Sequence, residues 1–330
     1  MKKGKLLTLL PLMAMTLTGC DFSSKSSSEF SFDEEKVFNI GICQLVAHAA
    51  LDKATEGFMK TVEEGLGKDK VTFDLQEAAG DPAVCTTICN SFVSKKVDLI
   101  MANATPALQA AANSTLDIPI LGTSVTEYGV ALSIDNFNGT VGGNISGTSD
   151  LAPLEEQAAM VKAFVPNAQN VGLLFCSAEA NSLYQVQVVE DCLKAQNITT
   201  KRISFSDSND LSSILSGNID GLDALYIPTD NVCAHNTSII DSICRPAKIP
   251  VICGEESLCA GCGVAALSID YFALGAKTGE MALQILKEGK DISEMPIAYD
   301  TNPTKKFNKA ICDELNITVP AGYVEIVVAD

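Results

Sequence analysis

Residues 37–66, VFNIGICQLVAHAALDKATEGFMKTVEEGL, carry the pattern that decides the fold. The apolar run at 37–42 predicts a short buried strand. After a loop, apolar residues recur every three or four positions and define one face of a helix. These residues are Leu51, Ala54, Phe58, Val62 and Leu66. A strand followed by such a helix is the unit from which parallel α/β sheets are built.

The same unit repeats along the chain in two runs. The first run predicts strands at 71–75, 97–101, 118–121 and 130–134, with helices at 82–95 and 106–112. The second predicts helices at 153–164, 181–196, 211–216 and 232–244, with strands at 171–175, 201–205, 224–227 and 250–253. Such alternation indicates parallel sheets covered by helices on both faces. Two runs of similar length predict two similar lobes.

Composition narrows the function classes. A chain of 330 residues has room for two or three domains, and 47% hydrophobic with 19% charged residues is typical of a globular protein. With 23 basic and 41 acidic residues, the formal charge is −18. We therefore expect no nucleic-acid partner, because that affinity depends largely on neutralising phosphates. Two histidines are too few for a multi-histidine metal centre, and we predict no metal and no cofactor.

The N-terminus has the three parts of a secretory signal. A basic segment at 1–5 precedes an apolar stretch at 6–17, which is too short to span a bilayer. It ends in Leu17-Thr18-Gly19-Cys20, which resembles the lipobox of bacterial lipoproteins. The resemblance implies a signal peptide at 1–19 and diacylation of Cys20; an ordinary secretory signal is the alternative. We expect the Ser-rich segment within 20–35 to be a flexible tether.

Polar or small residues follow the predicted strands in both runs. Ligands of open parallel sheets bind beyond the carboxyl ends of the strands. Ordinary loops and helix caps are also polar, so each position has a second interpretation. The positions are Gln44, His48, 103–105, 123–126, 177–182, 229–231 and 254–257.

Several segments resemble a known family, the substrate-binding lipoproteins of ABC importers whose studied members take up tryptophan or tyrosine. The matching segments are GICQLVAHAALD (41–52), NISGTSD (144–150), EANS (179–182), PTDN (228–231), GEES (254–257) and SIDY (268–271), followed by Gly275. The resemblance covers 37 to about 320.

It implies a type I periplasmic-binding-protein fold: two Rossmann-like α/β lobes with parallel sheets, joined by three hinge crossovers near Asn144, Ser268 and Tyr299. Lobe 1 would be 36–144 plus 268–298, and lobe 2 would be 145–267 plus 299–330.

The implied function is a monomeric solute-binding lipoprotein at the outer face of a bacterial cell membrane. It would hold an amino acid, which we expect to be aromatic, and deliver it to an ABC permease and ATPase. A surface sensor or adhesin using the same pocket is an alternative, and so is a thiol-dependent enzyme using His48 or His235. No nucleophile elbow, P-loop or dinucleotide motif occurs in the right context, so we predict no enzymatic activity.

A zwitterionic ligand needs donors for its carboxylate and acceptors for its ammonium. Thr105 and Thr126, near helix N-termini of lobe 1, are our candidates for the carboxylate. Asp230 is the first choice for the ammonium, and Glu255 or Glu256 is the alternate. A buried carboxylate is costly unless a cation or hydrogen bonds compensate it, which suits an ammonium site.

Other residues are expected to surround the ligand side chain. His48 either bonds the ligand or is an ordinary residue at a helix N-terminus. Tyr128 and Tyr184 either stack on the ligand or pack in the core. The four residues placed to line the remaining space are Gln44, Leu45, Asn181 and Ser182.

Eleven cysteines follow Cys20, and an odd number in an exported protein leaves at least one free thiol. Cys259 and Cys262 form a C-x-x-C pair, which can be redox-active or part of a zinc site. A zinc site would add Cys253 and a fourth ligand from elsewhere (Cys233, Cys244 or His235), but this is not a double C-x-x-C spacing. We expect free thiols, most of them buried as small hydrophobic groups.

Overall fold

The computed structural model describes residues 33–300 and 302–327. The predicted signal peptide, Cys20 and the tether up to residue 32 lie outside the described residues. Among the residues described, no helix has both the length and the hydropathy that a membrane crossing requires.

The described residues form alternating strands and helices, as the sequence predicts. In chain order the strands are β1 (Phe38–Gln44), β2 (Val71–Glu77), β3 (Leu99–Asn103), β4 (Ile120–Val125), β5 (Ile145–Ser149), β6 (Asn170–Cys176), β7 (Thr199–Phe205), β8 (Ala224–Ile227), β9 (Val251–Cys253), β10 (Ala265–Ser268), β11 (Ala298–Tyr299), β12 (Thr304–Phe307) and β13 (Val324–Glu325). The helices are α1 (Ala49–Leu66), α2 (Pro82–Lys95), α3 (Thr105–Ser114), α4 (Tyr128–Ala131), α5 (Leu154–Phe164), α6 (Ala180–Ala195), α7 (Ser208–Ser216), α8 (Asn231–His235), α9 (Thr237–Cys244), α10 (Glu256–Cys262), α11 (Tyr271–Leu286) and α12 (Lys309–Glu314).

The strands form two sheets, and each sheet is the centre of one lobe. The first has the order β11-β5-β4-β3-β1-β2 and is parallel throughout. The second has the order β13-β12-β10-β9-β8-β6-β7 and is parallel except between β10 and β12. The inner strands β3, β4, β8 and β9 are buried along their whole length, as expected of parallel strands covered on both faces of the sheet. The predicted α/β class with two parallel-sheet lobes is confirmed.

The chain crosses between the two sheets three times, after β5, after β10 and after β11. The expected first crossover near Asn144 is one strand too early, because β5 pairs in parallel with both β4 and β11 in the first sheet. Tyr299 likewise pairs with Ser149 in the first sheet. We therefore propose that the first lobe comprises 36–149 and 271–299.

Two element predictions were wrong. The strand expected at 130–134 is replaced by the short helix α4, because the Glu127 carboxylate caps it by accepting hydrogen bonds from the Gly129 and Val130 amides. The helix expected at 232–244 is divided into α8 and α9 at Asn236, whose backbone is not helical (φ −117°).

Helices α1 and α11 pack closely against each other in the first lobe. A Cβ on Gly57 would overlap the carbonyl oxygen of Phe272, and a Cβ on Gly275 would overlap that of Ala54. Glycine at both positions therefore allows the two backbones to approach. Because α1 directly follows His48 and α11 starts at Tyr271, this contact sets the spacing of two residues that line the cavity described next.

Candidate ligand-binding site between the lobes

A small cavity lies between the lobes, near the carboxyl ends of the strands. This is the position where parallel sheets bind ligands. The first sheet contributes residues after β1 and β5 and one residue at the end of β4, and the second contributes residues after β6, β8, β9 and β10. The lining residues are His48, Leu51, Ser124, Asp150, Asn181, Thr229, Asp230, Asn231, Ala234, Glu255 and Tyr271.

Asp150 gives the cavity an acidic wall. Its Oδ2 accepts a hydrogen bond of 2.9 Å from the Tyr271 hydroxyl, while its Oδ1 is buried without a partner among the described residues. Burial raises the pKa of Asp150 to about 6, although hydrogen bonds from the Thr126 and Tyr271 side chains act in the opposite direction. Burial also raises the pKa of the nearby Glu255. The pair would be stabilised by a bound cation.

Three further polar atoms in the cavity-lining residues are buried. They are Nδ1 of His48, Oγ of Ser124 and Oδ1 of Asn181, and none has a hydrogen-bond partner in the described part of the chain. Buried polar groups are nearly always paired in folded proteins, so such a group of unpaired atoms around one cavity indicates a polar ligand.

The lobes contact each other beside the cavity. Nε2 of His48 lies 3.2 Å from Oδ1 of Asn231, and Nδ1 of His235 lies 2.8 Å from the carbonyl oxygen of Ala47. Each bond joins the loop before α1 to helix α8 of the second lobe. The two lobes are therefore closed on one another.

Four of the nine predicted ligand-binding residues line this cavity, namely His48, Asn181, Asp230 and Glu255. Gln44 does not. Its side chain donates to Asp52 (2.7 Å) and accepts from Thr55 (2.6 Å), so it braces the start of α1. Leu45 is buried in the core of the first lobe and borders an open groove adjacent to the cavity.

Thr105, Thr126 and Ser182 are buried but are not among the cavity-lining residues. Thr105 is the first residue of α3 and not its cap, since the N-cap position belongs to Ala104. The carbonyl oxygen of Thr126 accepts a hydrogen bond of 2.7 Å from the Ser149 hydroxyl. Ser182 accepts a hydrogen bond from Asn181.

Asp230 lines the cavity, but its carboxylate is already satisfied. Oδ2 accepts from the Cys176 amide at 2.6 Å, and Oδ1 accepts from the Cys233 amide at 2.9 Å, which makes Asp230 the N-cap of α8. Glu255 similarly caps α10 through the amides of Ser257 and Leu258. Glu256, the other alternate, faces outward and pairs with Lys306 at 3.5 Å.

Ser124, Asp150 and Tyr271 were not among the ligand-binding residues predicted from sequence. Ser124 lies within β4, Asp150 directly follows β5, and Tyr271 follows β10. A usable signal existed for Asp150, since it is the acidic residue directly after a strand at a crossover. Neither of the two tyrosines considered for stacking lines the cavity. Tyr128 is a core residue whose hydroxyl donates to the Thr148 carbonyl at 3.0 Å, and Tyr184 is half-buried.

The eleven cysteines of the described residues are all free thiols, and all but Cys192 are buried. Burial raises the pKa of Cys176 to about 12 and that of Cys233 well above its usual range. Such thiols stay protonated, which does not favour a nucleophilic role. Within 33–300 and 302–327, no group of three or more His, Cys, Asp or Glu side chains is arranged to hold a metal ion.

Known proteins provide an independent comparison. The model of the family "ABC transporter substrate binding protein" matches residues 39–325. A tyrosine-binding protein from Clostridioides difficile is 38% identical over 307 residues, which are 90% of this chain and 88% of the relative.

Two solved structures differ in how well they superpose. An ABC domain from Streptococcus pneumonia in complex with L-Trp has a TM-score of 0.83 at 29% identity, covering 88% of this chain and 100% of that one. The ligand-free, open structure of a substrate-binding protein with adhesive properties from Clostridium difficile has a TM-score of 0.66 at 35% identity, covering 88% and 99%. The better superposition on the less identical, ligand-bound protein agrees with the closed lobes seen here.

The family match spans most of the chain, and the homologues are solute-binding proteins rather than enzymes, which fits a site built from unpaired polar groups around a cavity. The chain belongs to the family of ABC transporter substrate-binding proteins.

Proposed function

We propose that this ABC solute-binding protein binds an aromatic amino acid between its lobes and delivers it to a membrane permease and its ATPase. The observation that carries the proposal is the buried, unpartnered Oδ1 of Asp150 in the interlobe cavity. Solute-binding proteins of ABC transporters work outside the cytoplasm, where such a site collects ligand.

The ammonium of the ligand would bind Asp150. Tyr271 holds one carboxylate oxygen, which leaves the other directed at the ligand. Glu255 adds negative charge beside it, and this charge helps to raise the pKa of Asp150 in the absence of a cation. Asp230, our first choice from sequence, keeps a supporting role because backbone amides occupy both of its oxygens.

The ligand carboxylate would bind the hydroxyl of Ser124. This residue lies near the carboxyl end of β4, is buried, and has a backbone φ of +53°. A non-glycine residue in that conformation is strained, and such strain concentrates at ligand sites. Ser124 thus takes the role that we had expected for its neighbour Thr126.

Two observations support an aromatic side chain. The cavity has apolar surface from Leu51, Ala234 and the ring of Tyr271 beside its polar atoms. The tyrosine-binding relative and the L-Trp complex are both aligned over about nine-tenths of this chain.

We further propose that Cys20 carries the lipid that anchors the protein to the outer face of the membrane, and that the protein is a monomer. A surface adhesin is the second candidate, because one relative of 35% identity is a substrate-binding protein with adhesive properties. An adhesin using the same pocket would bind the same ligand, so tests of the pocket apply to both.

A ligand screen tests the proposal directly. In thermal unfolding against the twenty amino acids, nucleosides and small sugars, we expect tyrosine or tryptophan to give the largest stabilisation. At 100 times its dissociation constant, a ligand adds about 2.7 kcal/mol to the free energy of unfolding. Stabilisation by a sugar or nucleoside and by no amino acid would contradict the proposal.

The affinity should also depend on pH. A bound cation stabilises the ionised carboxylate, so affinity is present above the pKa of Asp150 and lost as pH falls through about 6. Between pH 7 and pH 5 the dissociation constant should rise about tenfold, since the ligand itself stays zwitterionic over this range. Calorimetry at the two pH values checks this. The dependence should disappear in Asp150→Asn, and its persistence there would assign it to another group.

A further inference from the structure

A hydrogen-bonded chain crosses from the second lobe to the first beside the cavity. Glu179, the residue before α6, is buried, and its Oε2 accepts from Nδ2 of Asn231 at 2.5 Å. Oδ1 of Asn231 lies 3.2 Å from Nε2 of His48, which belongs to the other lobe. The order of the chain is Glu179, Asn231, His48.

The orientation of the Asn231 amide follows from Glu179. Three N–H groups converge on Oε2 of Glu179: the side-chain amides of Asn231 and Asn181, and the backbone amide of Asn231 at 3.2 Å. Burial and the nearby Asp230 raise the pKa of Glu179 to about 8, but an oxygen that receives three donors accepts in either charge state. The NH2 group of Asn231 therefore faces Glu179, and its oxygen faces His48.

The tautomer of His48 follows in turn. An oxygen facing Nε2 requires that Nε2 carry the proton. Burial lowers the pKa of His48, so the ring is neutral at pH 7 and its Nδ1 is a bare acceptor. This Nδ1 is buried and has no partner in the described residues, and His48 lines the cavity.

We propose that the Glu179–Asn231–His48 chain is a specificity determinant, which presents the bare Nδ1 of His48 to a hydrogen-bond donor on the ligand side chain. In the proposed function the ligand ammonium binds Asp150, with Glu255 nearby. Asp150 and Tyr271 lie at the crossovers between the lobes. His48 and Asn231 lie instead where the two lobes contact each other across the cleft, away from the crossovers, so we assign them to the ligand side chain. This inference rests on the proposed function, and it selects aromatic amino acids with a ring donor, a phenol O–H or an indole N–H, over phenylalanine.

The physical basis is the cost of an unpaired buried acceptor. Phenylalanine would seal Nδ1 of His48 away from water without a donor, whereas tyrosine would pair it. A binding site that hydrogen-bonds a ligand hydroxyl discriminates against the analogue lacking this hydroxyl far more strongly than an apolar site that distinguishes ligands by shape alone. Asn231 and Glu179 act as positioning residues, because without them the ring could present its N–H to the ligand.

The test compares dissociation constants for tyrosine and phenylalanine, which differ by one hydroxyl, and for tryptophan and its 1-methyl derivative. We expect the wild type to prefer the donor-bearing member of the pair it binds by at least about 30-fold. His48→Gln retains an N–H near the Nε2 position, but its carbonyl oxygen is not at the position of the ring Nδ1, and the substitution should reduce this ratio to about fivefold or less. Asn231→Ala should reduce it as well, through loss of the fixed tautomer.

His235→Gln is the matched control. His235 is the second of the two histidines in the chain and makes the other interlobe bond, to Ala47, but it does not line the cavity. Its replacement can weaken both ligands of a pair equally, and the ratio should stay at the wild-type value. Thermal unfolding of each variant verifies that it folds.

Nitrogen NMR gives a readout that does not depend on any variant. With histidine labelled, the ligand-bound protein shows two rings, and the His48 ring should have a protonated Nε2 and an unprotonated Nδ1. A protonated Nδ1, or a ratio that His48→Gln leaves unchanged, would overturn this inference while the proposed function stands. Failure of the wild type to bind any aromatic amino acid would overturn both.

Discussion

Asp150→Asn is expected to weaken binding of the aromatic amino acid by about 100-fold or more, which is about 3 kcal/mol. The ligand ammonium would lose the carboxylate that we propose as its partner. The amide that replaces this carboxylate would place an N–H donor next to the ammonium, which is itself a donor. The Tyr271 hydroxyl can still donate to the remaining oxygen, so the shape of the cavity is kept. Isothermal titration calorimetry of the wild type and the variant at pH 7.5 measures the loss.

Asp135→Asn is the control, because Asp135 is exposed and is not among the cavity-lining residues. It removes the same charge and should leave the affinity unchanged. A dissociation constant for Asp150→Asn within threefold of wild type would exclude Asp150 as the ammonium ligand.

The same variant separates binding from folding. The pKa of Asp150 is raised in the folded protein, so the folded state binds this proton more tightly and the carboxylate destabilises it above pH 6. Without ligand, Asp150→Asn should therefore be at least as stable as wild type at pH 7.5, and thermal unfolding can verify this. A large loss of stability would show that the carboxylate has a structural role instead.

Gly275→Val is expected to destabilise the protein by about 3 kcal/mol. The new side chain would overlap the backbone of Ala54 where α1 and α11 pack, and a backbone cannot move aside as a flexible side chain can. The helices would have to separate, which also shifts Tyr271 at the start of α11. Thermal unfolding should show a midpoint lowered by about 6 °C or more.

Ala273→Val provides the comparison for this prediction. It introduces the same β-branched residue on the same helix, but Ala273 is exposed. The control should cost only the helix propensity of valine, about 0.5 kcal/mol. Equal destabilisation by the two variants would show that helix propensity, and not the contact with α1, explains the effect.

Sequence patterns predicted the helices and strands well where hydrophobic periodicity was strong. Helix α2 and strand β8 have the predicted bounds, since Asp81 and Pro82 mark the helix start and the strand is a continuous apolar run. The strand expected at 130–134 failed because a single side chain, Glu127, caps a helix there. Periodicity measures burial along the chain and does not detect such a local hydrogen bond.

Prediction of the site was less complete, for a related reason. Sequence patterns favoured an acidic residue after a strand for the ammonium and led to Asp230, whereas the structure leads us to propose Asp150. Both follow a strand. They differ in their partners: Asp230 accepts the amide of Cys176, which is 54 positions away in the chain, whereas Asp150 keeps one oxygen free. Only the folded structure determines which carboxylate has a backbone donor in reach.

The residues alone determined the α/β class, the two runs of strand and helix, and the edge of each sheet at which we propose the site, because these follow from the periodicity of burial and from the direction of parallel strands. The tertiary structure decided the boundary after β5, the capping role of Asp230, the free oxygen of Asp150 and the tautomer of His48. Each of these depends on hydrogen-bond partners that are distant in the chain, and a partner's position is fixed only when the two lobes pack and close.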